Sequence, residues 1–386
     1  MVFALVVVVT SVATPVSAFG VFLPVLATQF GWTRGAISTA LSINLVLGGF
    51  AGFALAHVAD RRGPRDVLAA TVLIGGTGLA LMSRVGALWH VYVFYGVMVG
   101  IGFSSVYVVT MATVSRWFEV RRGLALAVVL SGFNLGWLVG GPFAAFLIDC
   151  CGWRTAYVVL GLLVVGVGVP ACFAARFPER PPSRDGEAHA ASGSHVGASF
   201  RDALRDRRLW LLGVGWSFTG VVYMMVTVHT VPFARDHGLP LEQASFLLTA
   251  YGVGSALGRV ASGLVADRVG TPITLYGCLS MEMIALAVIL ASPPAWTLSA
   301  ALVAFGVGAA GADNAFVKVV PEVFGVVALA SVMSVIGLAW RIGAALGPAA
   351  AGFVYDLTRS YVIPFTAGLA LLAVTALLFH LAVRRS

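Results

Sequence analysis

The stretch Gly263-Leu264-Val265-Ala266-Asp267-Arg268-Val269-Gly270 decides the fold of this chain, because its core is met twice. Asp60-Arg61-Arg62-Gly63-Pro64-Arg65 closes an earlier apolar run in the same way, and Asp60 and Asp267 stand 207 residues apart. A second landmark gives nearly the same period, since Gly141-Pro142 recurs as Gly347-Pro348 at an offset of 206. Two independent landmarks with one period indicate an internal repeat, so the chain reads as two copies of one unit.

The runs that carry these landmarks are strongly apolar. Of 386 residues, 59% are hydrophobic and 10% charged, against roughly 25% charged in soluble domains. A water-soluble protein is excluded. A membrane-crossing helix needs about 20 mostly apolar residues, and the charge-poor stretches divide into about twelve, so an all-α integral membrane protein is expected. The polar, Pro- and Ser-rich segment 177–207 separates them into halves 1–176 and 208–386, each a bundle of six spans joined through a linker. The opening apolar run, from Val2 to about Thr28, is too long for the apolar core of a signal peptide and reads as the first span. No Lys or Arg precedes it, which leaves room for a start codon upstream.

The net charge of +8 would suit a nucleic-acid binder only if the basic residues shared one exposed face. Here they lie in the connections: seventeen on one side, from Arg61, Arg62 and Arg65 to Arg384 and Arg385, against Arg34, Arg84, Arg154, Arg235 and Arg359 on the other. The positive-inside rule then places both termini and the linker in the cytoplasm. Cys150, Cys151, Cys172 and Cys278 have neither metal-ligand spacing nor partner histidines, and no metal or cofactor is expected.

Twelve spans, two parallel halves, a central linker and G-x-x-x-D-R-x-G after the second and eighth spans together resemble the major facilitator superfamily. The second copy is complete (Gly263, Asp267, Arg268, Gly270); the first keeps Asp60, Arg61, Gly63 and Arg65 but has Ala56 at the leading glycine. In physical terms, an acid sits at a helix end, arginines hold the cytoplasmic surface, and glycine lets helices approach. The resemblance makes this a conformational latch that says nothing of substrate. Trp117-Phe118-Glu119-Val120-Arg121-Arg122-Gly123-Leu124-Ala125, with Phe246-Leu247-Leu248, Gly252 and Arg259, is similar to the monocarboxylate porter branch and its bacterial relatives.

Ionisable residues within hydrocarbon cost several kcal/mol and mark function by default. Arg259, Arg341, Glu282 and Asp313 are the candidates. Arg259 lies roughly 12 Å inside the span that ends at Asp267, and its planar guanidinium suits a carboxylate. In the porters the matching arginine binds the substrate carboxylate. Animal porters carry an acid four residues earlier, where this chain has Ser255, so their proton relay does not transfer unchanged. His229 and Asp236, seven residues apart on one helical face, resemble an arrangement in bacterial relatives and, with Asp313, are the candidates for proton coupling. Asp236 equally fits a solvated cluster with Arg235 and His237.

Arg341 falls some 24 Å from Gly325 by helical rise, near mid-membrane and at a different depth from Arg259. Oxalate/formate exchangers resemble this pattern, with cations in spans eight and eleven. Two cations favour a dianion, or a monoanion with Asp313 or Asp236 neutralising the surplus. Tyr107 and Asp313, 206 residues apart, take equivalent places in spans that line the cavity of the superfamily. Asn314 is a second polar candidate there, or an interhelical hydrogen bond. Gly306-Val307-Gly308-Ala309-Ala310-Gly311 matches a dinucleotide-binding glycine pattern but sits in an apolar span, and reads as helix packing. No phosphate-binding loop or hydrolase motif occurs, so the chain is not read as an enzyme, and the two inner arginines disfavour an exporter of cationic drugs.

The expected function is a secondary transporter of small organic anions in the cell (inner) membrane, coupled to protons and acting as a monomer. A dicarboxylate/monocarboxylate exchanger and a non-transporting membrane receptor are the alternatives.

Overall fold

The computed structural model describes residues 1–118, 122–176, 204–291, 294–324 and 329–383. Most of the linker (177–203), the centre of the Trp117–Ala125 motif (119–121), Gly325 and the terminal Arg384 and Arg385 lie outside them. The described residues form helices and no strands, as expected where no water is available to backbone amides and each must bond within its own segment.

Ten described stretches are long and apolar enough to cross a membrane. In chain order we name α1 (Val2–Phe30), α2 (Arg34–Arg62), α3 (Pro64–Arg84) and α4 (Leu88–Trp117). The 48-residue stretch Ala125–Cys172 is longer than one crossing requires. It breaks at Gly152, whose φ of 78° and ψ of 156° are not helical, into α5 (125–151) and α6 (153–172). Then follow α7 (Arg207–Asp236), α8 (Leu241–Val269), α9 (Thr271–Leu290), α10 (Ala295–Phe324), α11 (Leu329–Thr358) and α12 (Val362–Val383). α8 is not among the ten; it carries Glu242, Arg259, Asp267 and Arg268.

The repeat extends to backbone dihedrals. Among the described residues six have positive φ: Gly31 (68°) and Gly238 (86°), Gly63 and Gly270 (both 92°), and Gly152 (78°) and Arg359 (54°). Each pair is separated by 207 residues, the offset of Asp60 and Asp267. Gly63 and Gly270 end α2 and α8 with ψ of 154° and 156°, a region open essentially to glycine alone. A proline follows each in the first turn of the next helix, where its missing N–H costs nothing.

Packing repeats as well. α5 lays Gly132, Gly136 and Gly140 against the backbone of α1, and α11 lays Gly343 and Gly347 against α7 at Ser217 and Val221. Gly48 and Gly52 of α2 meet α4, as Gly254 and Gly258 of α8 meet α10 at Val303 and Val307. Without a hydrophobic force between helices in lipid, such small-residue seams let dispersion contacts accumulate. Gly306 and Gly308 belong to the same seams, touching α8 and α9, which agrees with the packing reading of that motif.

The halves join through two further equivalent seams. On one, Gly35 of α2 faces Phe353 of α11, the Ser42 hydroxyl donates to the Ala345 carbonyl, and Gly49 meets the Arg341 stem. On the other, Gly141 of α5 faces Ser245 and Leu248 of α8, and the Thr249 hydroxyl donates to the Leu138 carbonyl at 2.7 Å.

Substituting Gly270→Ala is expected to lower the thermal unfolding temperature in detergent, at a cost of about 1–3 kcal/mol for a side chain forced into that region. Arg359→Gly, which relieves a left-handed arginine, is expected to leave it unchanged or raise it.

Candidate functional site

Polar groups from both halves surround one space near the middle of the helices. Arg259 projects from α8, and its Nη1 lies 3.4 Å from Asp313 Oδ2 on α10, both side chains about half-exposed (49% and 46%). The close α8–α10 approach at Gly254 and Gly258 makes this contact possible. Asn314, the next residue on α10, donates from Nδ2 to the Arg259 carbonyl at 3.3 Å and to the Ser262 hydroxyl at 3.0 Å. Both contacts join α10 to α8.

Arg341 enters from α11 at the inner end of the α2–α11 contacts named above, its Cδ against Gly49. Among the described residues no carboxylate lies within 4.0 Å of it. Tyr107 of α4, half-exposed and 5.9 Å from the Phe133 ring, is within electrostatic reach of Arg259, Asp313 and Arg341 together. Tyr107 is thus an electrostatic neighbour common to both arginines. Through the 207-residue repeat Arg259 corresponds to Gly52, three residues from the Gly49 that touches Arg341, or about 5 Å along the helix.

Aromatic side chains from both halves gather beside this space, toward the start of α8. Tyr251 stands two turns before Arg259 on the same face of α8. It meets Trp137 of α5 (5.6 Å between ring centroids) and Tyr223 of α7 (5.8 Å), and Tyr223 in turn meets Trp340 of α11 (5.8 Å). Trp137 comes from the first half and the other three from the second. Only the fold brings them together, and no spacing pattern announces them.

His229 and Asp236 lie toward the end of α7, in a separate network. Asp236 is held bidentately by Arg34, at 2.7 Å to Nη1 and 2.6 Å to Nη2. Arg34 Nη1 also donates to the Tyr361 hydroxyl at 2.8 Å. His229 is fully buried, with Nε2 2.8 Å from the Pro348 carbonyl and Nδ1 2.9 Å from the Tyr361 hydroxyl. A carbonyl only accepts, so Nε2 carries the proton, and in the neutral ring Nδ1 accepts from Tyr361. Tyr361 lies in the turn between α11 and α12, where burial raises its hydroxyl above the ordinary tyrosine value. Two of the three proton-coupling candidates, His229 and Asp236, thus share one chain of contacts, which runs through Arg34 and Tyr361.

The residues of the repeated D-R motif also find partners. Arg116 of α4 donates to Asp60 at 2.7 Å, and Lys318 of α10 to Asp267 at 3.3 Å. Each pair ties the end of α2 or α8 to the fourth helix of its own half. Gly63 and Gly270 supply the turns described above, the Arg65 guanidinium stacks 4.3 Å over Phe173, and Gly263 lies beside Asn314. Arg61 and Arg268 are exposed at the same ends. Glu282 is buried on α9 beside Gly308 of α10, away from the arginines' space.

The family model of the Major Facilitator Superfamily matches residues 5–240 and 224–386. Among curated relatives, monocarboxylate transporter 13 of Bos taurus is 27% identical over 369 residues, covering 94% of this chain and 84% of its own. Monocarboxylate transporter 11 of Mus musculus is 26% identical over 353 residues, covering 89% and 78%. In fold, the chain resembles a bacterial homolog of the human lysosomal transporter Spinster, in an inward-facing, occupied conformation (TM-score 0.78, 17% identity, 99% and 96% covered). It also resembles the nucleoside transporter NupG (TM-score 0.76, 12% identity, 98% and 99% covered). The matched model spans both halves and every seam described above, and the chain belongs to the major facilitator superfamily, a multi-pass membrane transporter and not an enzyme.

Proposed function

We propose that the protein is a proton-coupled carrier of small organic monoanions, working by alternating access. The observation that carries this reading is the charge inventory of the central space: two guanidinium groups, one of them paired with Asp313 and the other, among the described residues, without a carboxylate within 4.0 Å. With Asp313 ionised the site has one positive charge in excess, which suits one monocarboxylate. Arg341 is then the resident anchor, its planar fork matched to a carboxylate. Arg259 joins it when a proton on Asp313 breaks the 3.4 Å pair. Tyr107 is placed to complete the polar wall, and the aromatic group at Trp137, Tyr223 and Tyr251 to cover the apolar body of the anion. The names of the curated relatives support the same cargo class.

The topology that goes with this reading has twelve spans. Dividing Ala125–Cys172 at Gly152 and admitting α8, whose charges serve the site and the latch, brings the ten apolar stretches to that number. The basic-residue asymmetry puts both termini and the linker 177–207 in the cytoplasm, with six spans on each side of the linker and the cell (inner) membrane as location. The Asp60 and Asp267 pairs act as the cytoplasmic latch of each half. Midplane sites at the interface of repeats, exposed alternately by rocking of the halves, are the common design of such carriers.

In proteoliposomes, Arg341→Gln is expected to weaken monocarboxylate binding by about 30-fold or more, in line with the ~2–5 kcal/mol lost when one partner of a buried charge pair is truncated. Retained affinity would remove Arg341 from the site.

The direction of the pH effect follows from the pairing. Protonating Asp313 frees Arg259, so anion affinity rises as pH falls through the titration of that carboxyl. Asp313→Asn is expected to keep exchange of anions between the two faces, measured by counterflow, while abolishing accumulation driven by a proton gradient. Proton-driven accumulation by this variant would sink the coupling role, and strict exchange by the unsubstituted protein would favour the dicarboxylate/monocarboxylate exchanger.

A further inference from the structure

The Arg34 network joins the two halves at one end of the molecule, and its geometry is that of a fastener. Arg34 is the first residue of α2, in the first half; every partner of its side chain belongs to the second. Asp236 at the end of α7 takes both terminal nitrogens, Tyr361 accepts from Nη1, and Tyr355 of α11 lies under the guanidinium at 4.0 Å. A second contact is independent of that side chain. The Asp356 carboxylate of α11 accepts from the backbone N–H of Arg34 at 2.9 Å and of Gly35 at 2.8 Å. The N-terminus of α2, with its unpaired amides and positive dipole end, is thus capped by an acid of the opposite half. Gly35 admits this approach, since a Cβ there would collide with Phe353.

The other ends of the helices differ. The ion pairs found there among the described residues, Arg116 with Asp60, Lys318 with Asp267 and Arg208 with Asp206, each stay within one half. The two acids at the Arg34 end hold the halves together, whereas the acids at the motif end hold each half to itself.

We propose that Arg34, Asp236, Asp356 and Tyr361 form a clasp that closes the outer mouth of the carrier in this conformation, and that opening to the outside requires the Arg34–Asp236 pair and the α2 cap to part. Buried His229 anchors the clasp from behind through Tyr361, while Pro348 of α11 fixes the ring. The charged and titratable groups around Asp236 are Arg34 from α2, Tyr355, Asp356 and Arg359 from α11 and its end, Tyr361, and His229, Arg235 and His237 of its own helix and turn. The clasp goes beyond the cargo reading and does not depend on which anion is carried.

The test is accessibility. In a background with Cys150, Cys151, Cys172 and Cys278 replaced by alanine, a reporter Tyr107→Cys in the central space is treated with a membrane-impermeant maleimide from either face. The clasp predicts slow labelling from the outer face, raised severalfold by Arg34→Gln or Asp236→Asn, and reduced again by the exchanged pair Arg34→Asp with Asp236→Arg. Tyr361→Phe removes only a hydroxyl and serves if the charge variants fail to fold; it too must raise outer labelling. Outer labelling unmoved in every variant that folds would overturn the clasp. A rise confined to the cytoplasmic face would retain a clasp at this end but overturn the orientation assigned to the chain.

Discussion

Arg341 sits in a helix that must lie in hydrocarbon, and a guanidinium there is tolerated only beside water, an acid or a ligand. That constraint organises the rest of the molecule. It requires a polar space between the halves, which the small-residue seams of α2 with α11 and of α5 with α8 bound from outside. It requires that the second arginine not double the charge, and Asp313 meets Arg259 across the α8–α10 seam. Glu282, buried on α9 and facing α10, stands outside this scheme.

Repeat symmetry supplies the architecture in which such a space forms. The three pairs of positive-φ residues, each 207 apart, place equivalent turns after α1 and α7, after α2 and α8, and after α5 and α11. One pair breaks the glycine rule: Arg359 stands where the first half has Gly152. Equivalent backbones with different side chains are how two copies of one unit come to do different work. Gly52 of α2 and Arg259 of α8 hold corresponding places, one giving a close helix contact and the other a charge.

Much of this was legible in the sequence. The apolar runs, the 207-residue period, the linker and the unwanted charges at Arg259, Asp313 and Arg341 are all local features, readable because hydrocarbon penalises every exception. The partners were not legible. Arg34 counted as one more outer basic residue, and nothing in its neighbours announces Asp236 or Asp356, more than two hundred residues away. The same holds for Trp137, Tyr223 and Tyr251: aromatic residues are common in apolar spans, and only the packing of α5 against α7 and α8 makes these a group. Register between spans, set by glycine contacts distributed along the chain, is the information that spacing within one span does not contain.

Charge conservation connects these features to transport. If one monoanion and one proton travel together, the loaded and empty sites carry the same net charge, and the halves can rock either way without moving charge across the bilayer. The most direct test is electrical: currents recorded from proteoliposomes on a solid support while a monocarboxylate is supplied at acidic pH. The account predicts uptake of the anion with no net charge displacement, at any imposed potential. A steady current that scales with uptake would contradict it, since the charge at Arg259, Asp313 and Arg341 would then not be balanced by one proton per anion.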